Sequence, residues 1–255
     1  MEVKEGITGK MFESSSTEVP INVKRGETDY SQYVEFIGTA HFSKTSIMEV
    51  MERVRELKPD AVALELCPLR YYSLQRVCLS CPKRGNCDRK CEFIISTDHL
   101  ANKDTDIWLI DMEEPEILAR IRSMATEREV RNWLRASRYV RSNELEGLQL
   151  WEEGRKEEAM HIFDSNTEIM RKTFPSLWNV LIEQRNALMA ARIHYIIKTY
   201  LDKGLKNFKI LVVTGAAHVP GLKEMLQNPE LSFEIMRKYR IKPTPPFRIR
   251  RVRVD

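Results

Sequence analysis

Two short segments of this chain pair a glycine with a histidine at the same spacing, Gly38-Thr39-Ala40-His41 and Gly215-Ala216-Ala217-His218. Each follows a strand-like run, Tyr33-Val34-Glu35-Phe36-Ile37 in one case and Phe208-Lys209-Ile210-Leu211-Val212-Val213 in the other. A glycine lets the chain turn sharply out of a sheet. The histidine then falls in the loop at the carboxyl end of the strand, where open α/β sheets bind ligands. Two of the five histidines share this setting. A pair of imidazoles at one sheet edge can hold a divalent metal, or serve as base and electrophile around a bound substrate.

Glu65 is the third candidate. It sits among Ala61-Val62-Ala63-Leu64-Glu65-Leu66, a run expected to be a strand buried on both faces. An unpaired carboxylate there is costly, so it should meet a metal, an arginine or a histidine. A plain ion pair with Arg70 is the structural alternative. The fourth candidate is the helix Glu183–Arg192, where Glu183, Asn186, Ala187 and Ala190 share one face by spacing. That face suits close packing against a polar site, or simple exposure to solvent. A separate cluster, Cys78-x2-Cys81-x5-Cys87-x3-Cys91, brings four thiols together. It reads as a structural zinc site or an iron–sulfur site, with disulfides or free thiols as the alternative. Cys67 lies outside it and reads as a small buried side chain.

The elements that must position these groups read as an α/β fold, with a mostly parallel or mixed central sheet and a large helical insertion. Strand 33–37, a helix with Ile47, Val50, Met51, Val54 and Leu57 at helical spacing, and strand 61–66 form a strand–helix–strand unit, which favours parallel pairing. Ser46 and Glu49 are expected to form that helix's capping box. A third strand is expected at 106–110 and a fourth at 208–213, with a short helix from Gly221. Between them, residues 113–205 read as helical, broken near Phe174-Pro175-Ser176. Residues 1–255 read as one domain, with the cysteine-bearing excursion at 78–91 and a basic tail at 237–255. Val19–Val23 is a candidate edge strand, and the alternating tail Phe247–Val254 an edge strand with a bulge.

The chain has 255 residues, 42% of them apolar, which excludes a mostly disordered chain. No apolar run approaches the roughly 20 residues a membrane-spanning helix needs, and no signal-peptide pattern opens the sequence. The expected setting is soluble and cytoplasmic, where clustered cysteines favour metal over disulfides. High Glu, Lys and Arg content with little Gln suits a thermophile. The tail holds eight basic residues against Asp255, although the formal net charge is only +4. The rest is therefore slightly acidic, which argues against specific nucleic-acid binding. The arginines of the tail read as a solvated face or as a peripheral contact with acidic membrane. No glycine-rich dinucleotide loop is present.

Four ordered blocks resemble the signature segments of the TraB family, the pheromone-shutdown group related to the TIKI proteases and, more remotely, to erythromycin esterases. They are Ile37–Lys44, Val62–Tyr71, Glu183–Ala190 and Val212–Gly221. The resemblance implies a metal-dependent hydrolase of peptide or ester bonds, with a peptide or small-molecule substrate. It implies site residues His41, Glu65, Arg185, Asn186 and His218, with Arg70 and Glu183 close by. His41, His218 and Glu65 would bind manganese, cobalt or zinc, Glu65 would act as ligand or base, and Arg185 with Asn186 would face an oxyanion. The alternative is a protein that sequesters a peptide or signalling factor in the same cleft without turnover. A homo-oligomer is compatible with either reading. The chain departs from the family in carrying Gln184, where glutamate is the more usual residue, and in its cysteine excursion.

Overall fold

A computed structural model of the chain describes residues 30–41, 43–79, 92–93 and 105–249. A five-stranded sheet runs through them in the order β1-β4-β2-β3-β5. The strands are β1 (Val34–Thr39), β2 (Ala61–Leu64), β3 (Asp106–Leu109), β4 (Ile210–Gly215) and β5 (Phe247–Ile249). The first four are mutually parallel, and β5 closes the β3 edge antiparallel. The sheet is thus mixed, with a helical insertion between β3 and β4, as the sequence leads one to expect.

The period-two pattern sorts the core onto two faces. Ala61, Ala63, Trp108, Ile210 and Val212 point to one side, against α7 (Arg185–Asp202), α8 (Val219–Gln227) and α9 (Pro229–Lys238). Val62, Leu64, Ile107, Leu109, Leu211 and Val213 point to the other, against α1 (Lys44–Leu57) and Tyr71 of α2 (Pro68–Leu79). Parallel strands covered on both faces read as continuous apolar runs, and β2 and β4 do.

The insertion consists of α3 (Glu114–Met124), α4 (Glu127–Glu152), α5 (Lys156–Thr173) and the short α6 (Pro175–Trp178). A π-helical turn, Asn179–Gln184, then leads directly into α7. The expected break near Pro175 is present. Thr126 and Glu129 form a capping box at the start of α4, and Glu129 also accepts from the Ser176 amide at 2.7 Å. One carboxylate therefore joins the first turns of α4 and α6. At the far end of α4, Glu152 accepts from the amides of Lys44 and Thr45 at 2.6 and 3.1 Å. This supplies acceptors for first-turn donors of α1 that have no intrahelical partner.

Several local expectations change. The N-cap of α1 is Ser43, whose hydroxyl accepts from Ser46 N at 3.2 Å. Ser46 is used differently: its hydroxyl meets both the amide and the carbonyl of Ala40, at 3.1 and 3.3 Å. Helices α2 and α9 were not expected, because Tyr, Arg and Pro obscure their periodicity. The edge strand β5 is present, and Arg248 within it pairs with Asp106 and lies over Trp108. The cluster residues Cys81, Cys87 and Cys91, the side chain of Cys78, the candidate strand Val19–Val23 and residues 250–255 lie outside the described residues. Cys67 is buried and free. Among the described residues, no helix is long and apolar enough to cross a membrane.

His194 on α7 gives the fold a measurable acid sensitivity. Its ring is buried beside Tyr30, and neither nitrogen has a hydrogen-bond partner among the described residues. Burial lowers its pKa from 6.5 to about 4. Between those values the unfolded chain binds a proton that the folded chain resists, so stability falls as pH drops through this window. The loss amounts to about 3 kcal/mol at most, taking roughly 1.4 kcal/mol per pKa unit. Urea denaturation of His194→Leu should show a flatter acid limb than the parent chain. An unchanged acid limb would show that His194 does not set it.

Candidate active site

The parallel pairing of β1 with β4 brings the two glycine–histidine segments together. In register, Gly38 lies beside Thr214 and Thr39 beside Gly215, so both chains leave the sheet at the same rim. Neither glycine has a positive φ; among the described residues only Gly154 and Gly204 do. The expectation of a sharp glycine turn is corrected, and the need is for space instead. A Cβ on Gly215 would come within 2.9 Å of His41 Nε2, and one on Gly38 within 3.0 Å of the Ala216 backbone.

Glu65 follows β2 directly and lies at the centre, only 2% exposed. Its Oε2 accepts from the Thr214 hydroxyl and from the Gly215 amide, each at 2.6 Å. Its Oε1 is ion-paired with Arg185 and lies 3.3 Å from His218 Nε2. Burial alone would raise its pKa, but His218, Arg185 and His41 together hold it well below the usual carboxylate range. The plain pair with Arg70 does not form. Arg70 donates to Asp111 at 3.0 Å, and Asp111 in turn grips Arg185 through both oxygens at 2.9 and 2.8 Å.

Arg185 opens α7 and spends all five of its N–H donors. Besides Asp111 and Glu65, they reach the Leu181 carbonyl and His218 Nε2, both at 3.1 Å. Because a guanidinium only donates, His218 Nε2 accepts. His218 Nδ1 lies 2.6 Å from the Asn186 amide oxygen and carries the proton. His218 therefore has both ring nitrogens engaged. Asn186 reaches it across a very close helix contact, since a Cβ on Gly221 would lie 2.4 Å from Asn186 Nδ2.

His41 is placed differently. Its Nδ1 meets Glu92 Oε1 at 2.8 Å, and its side chain keeps 40% of its exposure. Nε2 faces Gly215 on the Glu65 side. Burial opposes protonation of this ring, but its hydrogen bond to Glu92 and the charges of Glu65 and Glu92 outweigh it, so its pKa is raised above 6.5.

These groups floor a cavity of about 560 Å³, roofed by α4, α5 and the π-turn through Trp133, Leu148, Phe163, Met170, Phe174 and Ile182. His41, Glu65, Arg185 and His218 all line it. Asn186 reaches it only through His218, and neither Arg70 nor its partner Asp111 lines it. Glu183 is absent from the lining; its carboxylate accepts from Asn179 instead. The π-turn shifts helical register just before Arg185, which breaks the expected alignment of Glu183 with Asn186. Gln184 also points elsewhere, bonded to Asn179 at 2.6 Å and to Arg120 at 3.1 Å. Its neutral amide both donates and accepts there, so glutamine in place of glutamate removes no charge from the cavity floor.

Sequence reasoning missed Asp111, Glu92 and Thr214. Asp111 had a signal: it follows the apolar run of β3 just as Glu65 follows that of β2. Glu92 had none, since nothing in the sequence places it beside His41. The expected metal ligands, His41, Glu65 and His218, converge as a group. As arranged they do not fit a metal, because Arg185 engages two of the three.

Arg185→Leu would leave Glu65 and Asp111 buried without their shared cation, and should cost about 3–5 kcal/mol in a urea titration. Arg70 is 33% exposed, so Arg70→Leu should cost clearly less. Equal costs would remove Arg185 from the centre of the cluster. Gly221→Ala should displace Asn186 from His218 and cost about 1–3 kcal/mol. A His218 ring environment unchanged by NMR would count against that contact.

Residues 111–234 match the model of the TraB/PrgY/gumN family. An uncharacterized protein of Methanocaldococcus jannaschii is 25% identical over 229 residues, covering 77% of this chain. The match spans 54% of that relative, so the chain corresponds to about half its length. The matched family region contains Asp111, Arg185, Asn186 and His218, and the cavity roof from α4 to α7. The chain is thus similar to the TraB/PrgY/gumN family over residues 111–234, about half of its length.

Proposed function

We propose that the cavity is a hydrolase site for peptide or ester bonds, with His41 as general base. The observation that carries this reading is the disposition of His41. Among the floor groups, its Nε2 is the ring nitrogen left facing the cavity, while Nδ1 is anchored on the buried carboxylate of Glu92. An imidazole oriented and charge-stabilised by a carboxylate is a common general base.

In this mechanism a water molecule gives a proton to His41 Nε2 as its oxygen attacks the carbonyl carbon. Glu92 and Glu65 stabilise the imidazolium. The intermediate then collapses, the carbon–nitrogen or carbon–oxygen bond breaks, and the leaving group takes the proton from His41. Arg185 has no donor to spare, so it orients Glu65 and His218 and does not face the oxyanion. Ala216 and Ala217 line the cavity at the start of a 3-10 turn. The apolar roof suits a scissile group flanked by apolar substituents.

The test is digestion of a peptide and ester library, with products identified by mass spectrometry. His41→Ala should reduce turnover by about 10²-fold or more, the usual contribution of a general base. The base acts when neutral and its pKa is raised. Turnover should therefore rise with pH through a midpoint above 6.5. Glu92→Gln removes the group that raises it, so the midpoint should move down and the rate fall. Tight retention of uncleaved peptide, unaffected by His41→Ala, would instead support the sequestering reading.

A further inference from the structure

The resemblance implies a divalent metal among His41, Glu65 and His218, and the side chains there disagree with it. We infer that Arg185 supplies, as a fixed part of the chain, the positive charge that a metal would bring, and that this site holds no metal. The inference rests on the hydrolase reading for the purpose of that charge, but its measurement does not depend on turnover.

The argument is one of lone pairs and charge. A divalent ion needs several donors with free lone pairs. Glu65 Oε2 already accepts from a hydroxyl and an amide at 2.6 Å, and Oε1 is ion-paired with Arg185. His218 Nε2 accepts from Arg185 at 3.1 Å, and its Nδ1 is protonated toward Asn186. Only His41 Nε2 remains, and one imidazole is a poor site. Charge gives the same answer. Arg185 and Arg70 already pair with Glu65 and Asp111, and Glu92 is committed to the His41 ring. A divalent ion would have to expel Arg185 from Glu65, and Arg185 would then face the ion at close range. Asp111 holds Arg185 by two parallel hydrogen bonds, 2.9 and 2.8 Å, the geometry that fixes a guanidinium most firmly.

The experiment is long-range nitrogen–proton NMR of the histidine rings in the full chain, purified without chelator, with His41 and His218 assigned through His41→Gln and His218→Gln. The nitrogen shifts distinguish a free, a protonated and a metal-bound ring nitrogen. The expected result is no metal-bound pattern at either ring as purified. On adding excess manganese, the signals of His41 and His218 should persist to the same extent as that of buried His194. A metal-bound shift at His41 or His218, or their selective loss with manganese, would overturn the inference. Metal taken up by the cysteine cluster would give no metal-bound nitrogen shift at either ring. A chain that cleaves nothing while its rings stay metal-free would count against the hydrolase reading and leave this inference standing.

Discussion

The buried clasp of Arg185 between Glu65 and Asp111 is the constraint around which the rest is built. Glu65 follows β2 and Asp111 follows β3, and both hold one guanidinium at the start of α7, while Thr214 and Gly215 at the end of β4 donate to Glu65. Three strand ends and one helix are thereby fixed relative to one another by charge-assisted hydrogen bonds. In so dry a place neither carboxylate is affordable alone. The pairing makes both tolerable and leaves no donor of Arg185 unused. Such a cluster is rigid because every member would lose a partner on moving.

That rigidity separates the two histidines. Their segments look alike in sequence, yet His218 is locked between Asn186 and Arg185, while His41 Nε2 has no hydrogen-bond partner among the described residues and its ring is half-open. The difference comes from neighbours. α7 bears on His218 through Arg185 and Asn186, whereas His41 is met by Glu92. One histidine completes the floor and the other faces whatever enters the cavity.

The roof is tied to the body at one end of α4 and braced within itself at the other. Glu152 joins α4 to the first turn of α1, and Glu129 joins the start of α4 to α6. The π-turn before α7 has a related part. It rotates Glu183 and Gln184 off the cavity and presents Arg185 to it, so the chain reaches the site with a single cation from that segment. Arg192, one helical stretch further on, holds the carbonyls of Ile110 and Asp111 and keeps the end of β3 in place.

The strands, the alternation of their buried faces, the helical nature of residues 113–205 and the convergence of His41, Glu65 and His218 were legible in the sequence. Apolar periodicity and short-range spacing are local properties, and strand ends in a parallel sheet share a rim by topology. The sequence could also mark Glu65 as a carboxylate in need of a partner. It could not say which partner, since Arg70 and Arg185 are equally basic in one dimension. Only the tertiary fold chose Arg185 for Glu65 and sent Arg70 to Asp111. It also recruited Glu92 to His41 and used glycine for clearance where a turn had been expected. Those outcomes depend on distances between segments far apart along the chain, and pairing energies in a buried site are set by such distances and by exclusion of water, which residue types alone do not encode.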